Sequence, residues 1–167
     1  PPKSTLSPTT TLTRSKAQLT LAGYSGSRTY GDGNGTITYN GTLSGLKFAD
    51  DAVNVSGSAE SSVTDRSNAG THSNVLTASL TGTSAGNYVI SAPVTGDLTI
   101  NKALLSIAGY GGSRTYGDDN STITYSGTLS GQKFADDDVN YSSSVDGSVT
   151  KHSNTSTQNT VLTPSLT

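Results

Sequence analysis

The side chains with the clearest capacity for chemistry in this sequence are carboxylates. Asp50-Asp51 and Asp136-Asp137-Asp138 form two acidic runs, each preceded by Lys-Phe-Ala, and Asp32 and Asp118 stand on comparable stretches upstream. Clustered carboxylate oxygens are hard ligands, which makes Asp50, Asp51, Asp136 and Asp137 candidate ligands for Ca2+. The pattern Phe-Ala-Asp-Asp also describes a turn whose aspartates accept hydrogen bonds from nearby amides. No glycine-spaced calcium loop accompanies the acids, which favours the turn. No other cofactor is implied.

Other chemistries find less support. The chain has no cysteine, which removes thiol nucleophiles, disulfides and thiolate-held metals. Serine and threonine abound, at 27 each, but a hydroxyl needs a base beside it. The two histidines, His72 and His152, sit in Ser/Asn-rich stretches that read as solvent-exposed loops. An enzyme is not expected. Arg28 to Asp32, with Tyr24 and Tyr30, has the residue types of a binding surface. Against that, the rings are needed to fill a core poor in Phe and Trp, with Arg28 pairing to Asp32 or to a carbonyl. Six Asn-x-Ser/Thr sequons occur, at Asn34, Asn40, Asn54, Asn120, Asn140 and Asn154, only slightly more than this composition gives by chance. Lys16 and Lys102, with nearby Asn and Asp, raise an intramolecular isopeptide cross-link, which no pattern in the chain demands.

The elements that hold these residues are set by a duplication. Lys16-Ala17 returns as Lys102-Ala103, Ser27-Arg28-Thr29-Tyr30-Gly31-Asp32 as Ser113-Arg114-Thr115-Tyr116-Gly117-Asp118, and Lys47-Phe48-Ala49-Asp50-Asp51 as Lys133-Phe134-Ala135-Asp136-Asp137. Every pair is displaced by 86 positions, and 44 of the 66 residues in 16–81 recur in 102–167. The histidines break the correspondence, because His72 aligns with Gln158 and His152 with Arg66. A period of this length is too long for a solenoid coil and matches one immunoglobulin-like domain. Three segments follow: 1–15 as the end of a preceding repeat, 16–101 as a complete repeat, and 102–167 as a second repeat truncated before its last strands.

Composition agrees with strands. Hydrophobic residues are 31% and charged residues 13% of the chain, and the net charge is −2. Thr, Val, Ile and Tyr favour extended backbone, and Gly, Asn, Asp and Ser punctuate it. Short runs at 17–22, 36–39, 53–56, 75–80, 88–91 and 97–100 read as strands. The expectation is an all-β chain of tandem immunoglobulin-like antiparallel β-sandwiches. Its core should include Leu21, Tyr30, Ile37, Phe48, Val75, Leu76, Tyr88 and Ile100. The charge gives no basic stripe for nucleic acid, and no apolar run approaches the ~20 residues of a membrane span. Residues 97–107 contain no flexible linker, which favours a stiff rod over loosely strung domains.

Leu98-Thr99-Ile100-Asn101-Lys102-Ala103, then Ser113-Arg114-Thr115-Tyr116-Gly117-Asp118, and Gly86-Asn87-Tyr88-Val89-Ile90 resemble the boundary and closing motifs of MBG/YDG-type repeats. The resemblance covers one unit and most of a second, with Arg28 and Arg114 where that family usually has Lys. It implies immunoglobulin-like tandem repeats of large, filamentous-haemagglutinin-like bacterial surface adhesins. On that basis the chain is expected to be an extracellular stalk or spacer, on the cell surface or secreted, whose partners are neighbouring repeats. The alternative is an adhesive module that binds a host-cell or matrix glycan or protein through its loops.

Overall fold

Thr-, Val-, Ile- and Tyr-rich runs separated by glycine and asparagine turns form an all-β chain, seen in a computed structural model that describes residues 9–167. Three single-turn 3-10 segments are the only helical elements among the described residues. The chain divides into two compact units, one ending at Asn101 and the other running Lys102–Thr167. Residues 1–8, half of the expected leading segment, lie outside the described residues, and 9–15 form no strand.

The first unit contains β1 (Ala17–Thr29), β2 (Thr38–Ser44), β3 (Asn54–Ala59), β4 (Gly70–Thr81), β5 (Tyr88–Ile90) and β6 (Thr95–Asn101). They form one sheet in the order β2-β1-β6-β4-β3, with β5 added beside β1. β6 runs parallel to β1, from Ser25↔Asp97 to Thr29↔Asn101, and antiparallel to β4. β5 is parallel to the start of β1, from Ala17↔Tyr88 to Leu19↔Ile90. The sheet is curled, and its edge strands β2 and β3 come alongside each other. Its alternation explains the curl. In β6 the glycine and the two aliphatics, Gly96, Leu98 and Ile100, are buried while Thr95, Asp97, Thr99 and Asn101 face outward. A sheet with one apolar face hides it by wrapping around it.

β1 changes parity halfway. Leu19 and Leu21 are buried in its first half, but Tyr24, Gly26 and Arg28 are buried in its second. A bulge causes this: the pairing with β2 steps from Ala22↔Thr42 to Ser25↔Asn40, so β1 carries one extra residue. Gly23 absorbs it at φ +63°, a left-handed conformation suited to glycine. The shift turns Tyr24 into the core, where it stacks on Tyr39 with ring centroids 6.2 Å apart. The Tyr24 hydroxyl donates to Ser56 O at 3.2 Å, and Gly57 leaves room for it, since any side chain there would overlap that hydroxyl.

The core comprises Leu21, Tyr24, Ile37, Val63, Leu76, Leu98 and Ile100, with Tyr30 and Val75 packed against it and partly buried. Leu19 and Tyr88 are also buried. Phe48 departs from the expectation, being 67% exposed. It belongs to a hydrogen-bonded turn closed by Asp51 N–H to Phe48 O at 3.2 Å, not to a strand, so no alternation points it inward. Its counterpart Phe134 is half-buried.

The second unit contains β7 (Ser106–Ser113), β8 (Thr124–Ser130), β9 (Tyr141–Val145) and β10 (Leu162–Leu166). They form two separate two-stranded sheets, β7-β8 and β9-β10. The pairings repeat those of the first unit 86 positions on: Thr20↔Ser44 becomes Ser106↔Ser130, and Val55↔Leu80 becomes Tyr141↔Leu166. Even the bulge returns, with Gly109 at φ +62°.

Candidate functional site

The polar centre of each unit is a clamp built on the repeated Arg and Asn. Arg28 ends the inward-facing row of β1 and is 4% exposed. Its Nε donates to Asn34 Oδ1 at 3.1 Å, Nη1 to Thr29 O at 3.3 Å, and Nη2 to Thr64 O. Asn34 completes the clamp by donating through Nδ2 to Val63 O at 2.7 Å. The loop between β3 and β4, held by no ladder of its own, is thereby fixed to the end of β1. Gly31 N–H adds a bond to Asp65 O at 3.1 Å. Of the two pairings expected for Arg28, the carbonyl is the one these bonds contain. A guanidinium suits this place because its fork of donors satisfies several buried acceptors at once.

The second unit repeats the clamp's bonds to the loop carbonyls but not the bond between arginine and asparagine. Arg114 Nη2 donates to Thr150 O, its Nη1 donates to Asp118 O at 2.8 Å, and Asn120 Nδ2 donates to Val149 O at 2.8 Å. Here Arg114 is half-buried, and Asn120 Oδ1 is buried without a hydrogen-bond partner. The clamp also assigns two of the six sequons. Asn34 and Asn120 use their amide nitrogens to hold a loop, so neither presents that nitrogen to a modifying enzyme in the folded unit. Asn40, Asn54, Asn140 and Asn154 are exposed.

A second lock joins the Phe-Ala-Asp-Asp turn to β5. The Tyr88 hydroxyl donates to an Asp51 carboxylate oxygen and accepts from Lys47 N–H at 2.9 Å. The bond to Asp51 raises the phenol's pKa above its ordinary value, because ionising it would set two anions together, and desolvation adds to the rise. Tyr24 is pushed up to about 12 by burial, with Tyr39 beside it contributing in the same direction. Tyr39 is raised by burial alone. In the second unit, Asp137 accepts from Phe134 N–H at 3.2 Å, again within the turn. Asp146 lies on the turn after β9, where hydrogen bonds from the Ser148 side chain first, and then from its N–H at 2.8 Å, lower the carboxylate's pKa.

The expected calcium ligands thus fall on two turns, Asp50 and Asp51 in one unit and Asp136 and Asp137 in the other. No three His, Cys, Asp or Glu side chains come together as a metal-binding group among the described residues. His72 lies on β4, with Nε2 2.9 Å from Asn68 O, and His152 lies on an exposed turn. No helix among the described residues is long and apolar enough to cross a membrane.

Sequence reasoning missed the clamp's asparagines as structural residues. The available signal was their coupling: Arg28 with Asn34 and Val63-Thr64 recurs intact as Arg114 with Asn120 and Val149-Thr150. Residues 14–96, from just before β1 to the second residue of β6, match the YDG domain family. No curated protein and no solved structure matches the chain.

Proposed function

We propose that the YDG domain at residues 14–96 and the unit that follows it are load-bearing spacer modules of a bacterial extracellular protein, on the cell surface or secreted, that hold an adhesive region at a distance. In this reading each module is a variant of the immunoglobulin-like class, and its partners are neighbouring repeats of the same chain. The observation that carries the reading is the parallel pairing of the first and last strands of the first unit, Ser25–Thr29 with Asp97–Asn101. Tension entering at the start of β1 and leaving at the end of β6 pulls parallel neighbours in opposite directions along their length. Their bonds are then loaded together in shear, whereas an antiparallel hairpin pulled from its open end loses them one at a time. Tyr30 N–H to Asn101 O, at 2.8 Å, extends the sheared ladder by one bond.

Single-molecule pulling tests the proposal. With handles at Lys16 and Lys102, the first unit should rupture in one step at a force well above that found with handles on β3 and β4, which unzip. Equal low forces in both geometries would remove the mechanical argument. Strong, saturable binding of the isolated chain to host cells or a glycan array would favour the adhesive module instead.

A further inference from the structure

Asparagine followed by glycine is a reactive pair, because the glycine brings no Cβ to obstruct the approach of its nitrogen to the asparagine side chain. Two such pairs occur, Asn34-Gly35 and Asn40-Gly41, and both lie in the first unit. The second unit has Asn120-Ser121 and Ser126-Gly127 at the corresponding positions. The fold treats the two pairs oppositely. Asn34 is held at both ends of its side-chain amide, Oδ1 accepting from Arg28 Nε at 3.1 Å and Nδ2 donating to Val63 O at 2.7 Å. Its partner Arg28 is 4% exposed, so freeing Asn34 means opening the polar centre of the unit. Asn40 is exposed, and no hydrogen bond holds its side-chain amide among the described residues. It lies on β2, an edge strand that pairs with β1 alone. The ladder is interrupted beside it: the register passes from Ala22↔Thr42 to Ser25↔Asn40, and Gly41 has no partner in β1.

We propose that Asn40 is a self-modification site, where the chain converts its own asparagine to aspartate and isoaspartate, and that the arginine clamp protects Asn34 from the same reaction. The Gly41 nitrogen loses its proton to base and attacks Asn40 Cγ. The new N–Cγ bond closes a succinimide ring, the Cγ–Nδ2 bond breaks, and Nδ2 takes a proton from solvent and leaves as ammonia. Water then opens the ring at either carbonyl, giving aspartate or an isoaspartate whose backbone runs through Cγ. In an extended strand the Gly41 nitrogen lies out of reach of Cγ, so the rate follows local opening. An edge strand with an interrupted ladder opens more readily than a buried clamp. The proton loss makes the reaction faster as pH rises. Each event adds one negative charge to a chain whose net charge is −2, and removes the side-chain nitrogen of one exposed sequon. It marks the age of the first unit and has no equivalent in the second. The proposal does not rest on the load-bearing reading, since its chemistry needs no tension.

The test is peptide mapping by mass spectrometry of the full chain, kept folded at mildly acidic and mildly alkaline pH and, separately, unfolded in guanidinium chloride. In the folded chain Asn40 should gain the mass that exchanging NH2 for OH adds, about tenfold or more faster than Asn34, and faster at the higher pH. In the denaturant the two pairs should convert at similar rates, because the protection of Asn34 belongs to the fold. Asn40→Ser, which places the second unit's own residue at that position, should abolish the gain there and leave Asn34 unconverted in the folded chain. An Asn40 that stays intact in the folded chain while the unfolded chain converts would overturn the proposal. So would equal rates at Asn34 and Asn40 in the folded chain. The same difference persisting in denaturant would also overturn it, since the selectivity would then come from the flanking residues and not from the clamp.

Discussion

The first and second units share 44 of 66 aligned residues and the same strand registers, yet equivalent side chains differ in burial. Leu76 is fully buried at 0% exposure, while Leu162 is half-buried, and Arg28 and Arg114 differ in the same sense. Two strands of the first unit, β5 and β6, have no counterpart in the second, and β6 is the one that reaches these positions. β6 contributes Leu98 and Ile100 to the core and pairs with strands on both sides, converting two hairpin-like sheets into one curled sheet. Burial at these positions therefore belongs to the assembly of strands and not to the residues, whose types are identical. The length of β4 teaches the same point. It runs from Gly70 because β6 pairs with its first three residues, whereas β10 begins only at Leu162, where β9 supplies a partner.

The largest expected effect tests that comparison directly. Leu98→Ala leaves a cavity at the centre of the first unit and should cost it about 2–5 kcal/mol. Denaturation followed by hydrogen exchange should show the first unit opening more readily, with exchange in β7 to β10 unchanged. An equal loss of protection in both units would mean that the two do not fold as separate bodies.

The clamp supplies the next contrast. Arg28→Ala removes a buried guanidinium and strands the Thr64 carbonyl and the Asn34 amide oxygen, for an expected loss of about 2–3 kcal/mol. Arg114→Ala should cost about 1 kcal/mol or less, because the residues whose carbonyls it leaves, Asp118 and Thr150, are exposed to water. Urea midpoints for the first unit, and exchange rates around Val149-Thr150 for the second, measure the two losses. Equal losses would contradict the claim that β6 is what makes the clamp a buried one.

A smaller effect comes from a left-handed backbone conformation that the units share with unlike residues. Asn74 at φ 57° and Thr160 at φ 58° are the two left-handed non-glycine residues among those described. Asparagine tolerates that region, and in the first unit its backbone N–H donates to Asp97 at 2.9 Å. A β-branched threonine is strained there, so Thr160→Asn should stabilise the β9-β10 pair by about 1 kcal/mol. Slower exchange across β10 would register the gain. No change would mean that the loop relaxes out of this conformation in solution.

Much of this architecture was legible in the residues. Alternating apolar and polar positions, bounded by Gly- and Asn-rich turns, pointed to a run overlapping each strand of the first unit, although β1 and β2 continue to Thr29 and Ser44 and β4 begins at Gly70, in a stretch that reads as loop. The exact duplication anticipated the repeated registers. What escaped was set by single residues acting at a distance. Gly23 adds one residue to β1 and reverses its inward face, so simple period-2 counting carries Leu19 and Leu21 correctly and then fails at Tyr24. The asparagines of the clamp looked like glycosylation sequons because their partners lie 29 residues away. The acidic runs read both as turns and as candidate cation ligands, and a lone sequence does not show that Asp51 accepts from Tyr88, 37 residues further on.

Phe48 offers the smallest effect and the sharpest test of how such a sequence should be read. A phenylalanine in a chain with only two invites assignment to the core, and a buried ring truncated to alanine would cost about 3–5 kcal/mol. At 67% exposure, on a turn held by the Asp51 amide and by the bond from Lys47 N–H to the Tyr88 hydroxyl, the ring leaves little behind when removed. Phe48→Ala should shift stability by no more than about 0.5 kcal/mol. Phe134→Ala, in the half-buried counterpart, should be the more costly of the pair. The two substitutions, measured by exchange in their own units, would thus reverse the usual order in which the more open unit tolerates more. A loss of several kcal/mol at Phe48 would show that the turn folds back over the sheet in solution and that the ring belongs to the core after all.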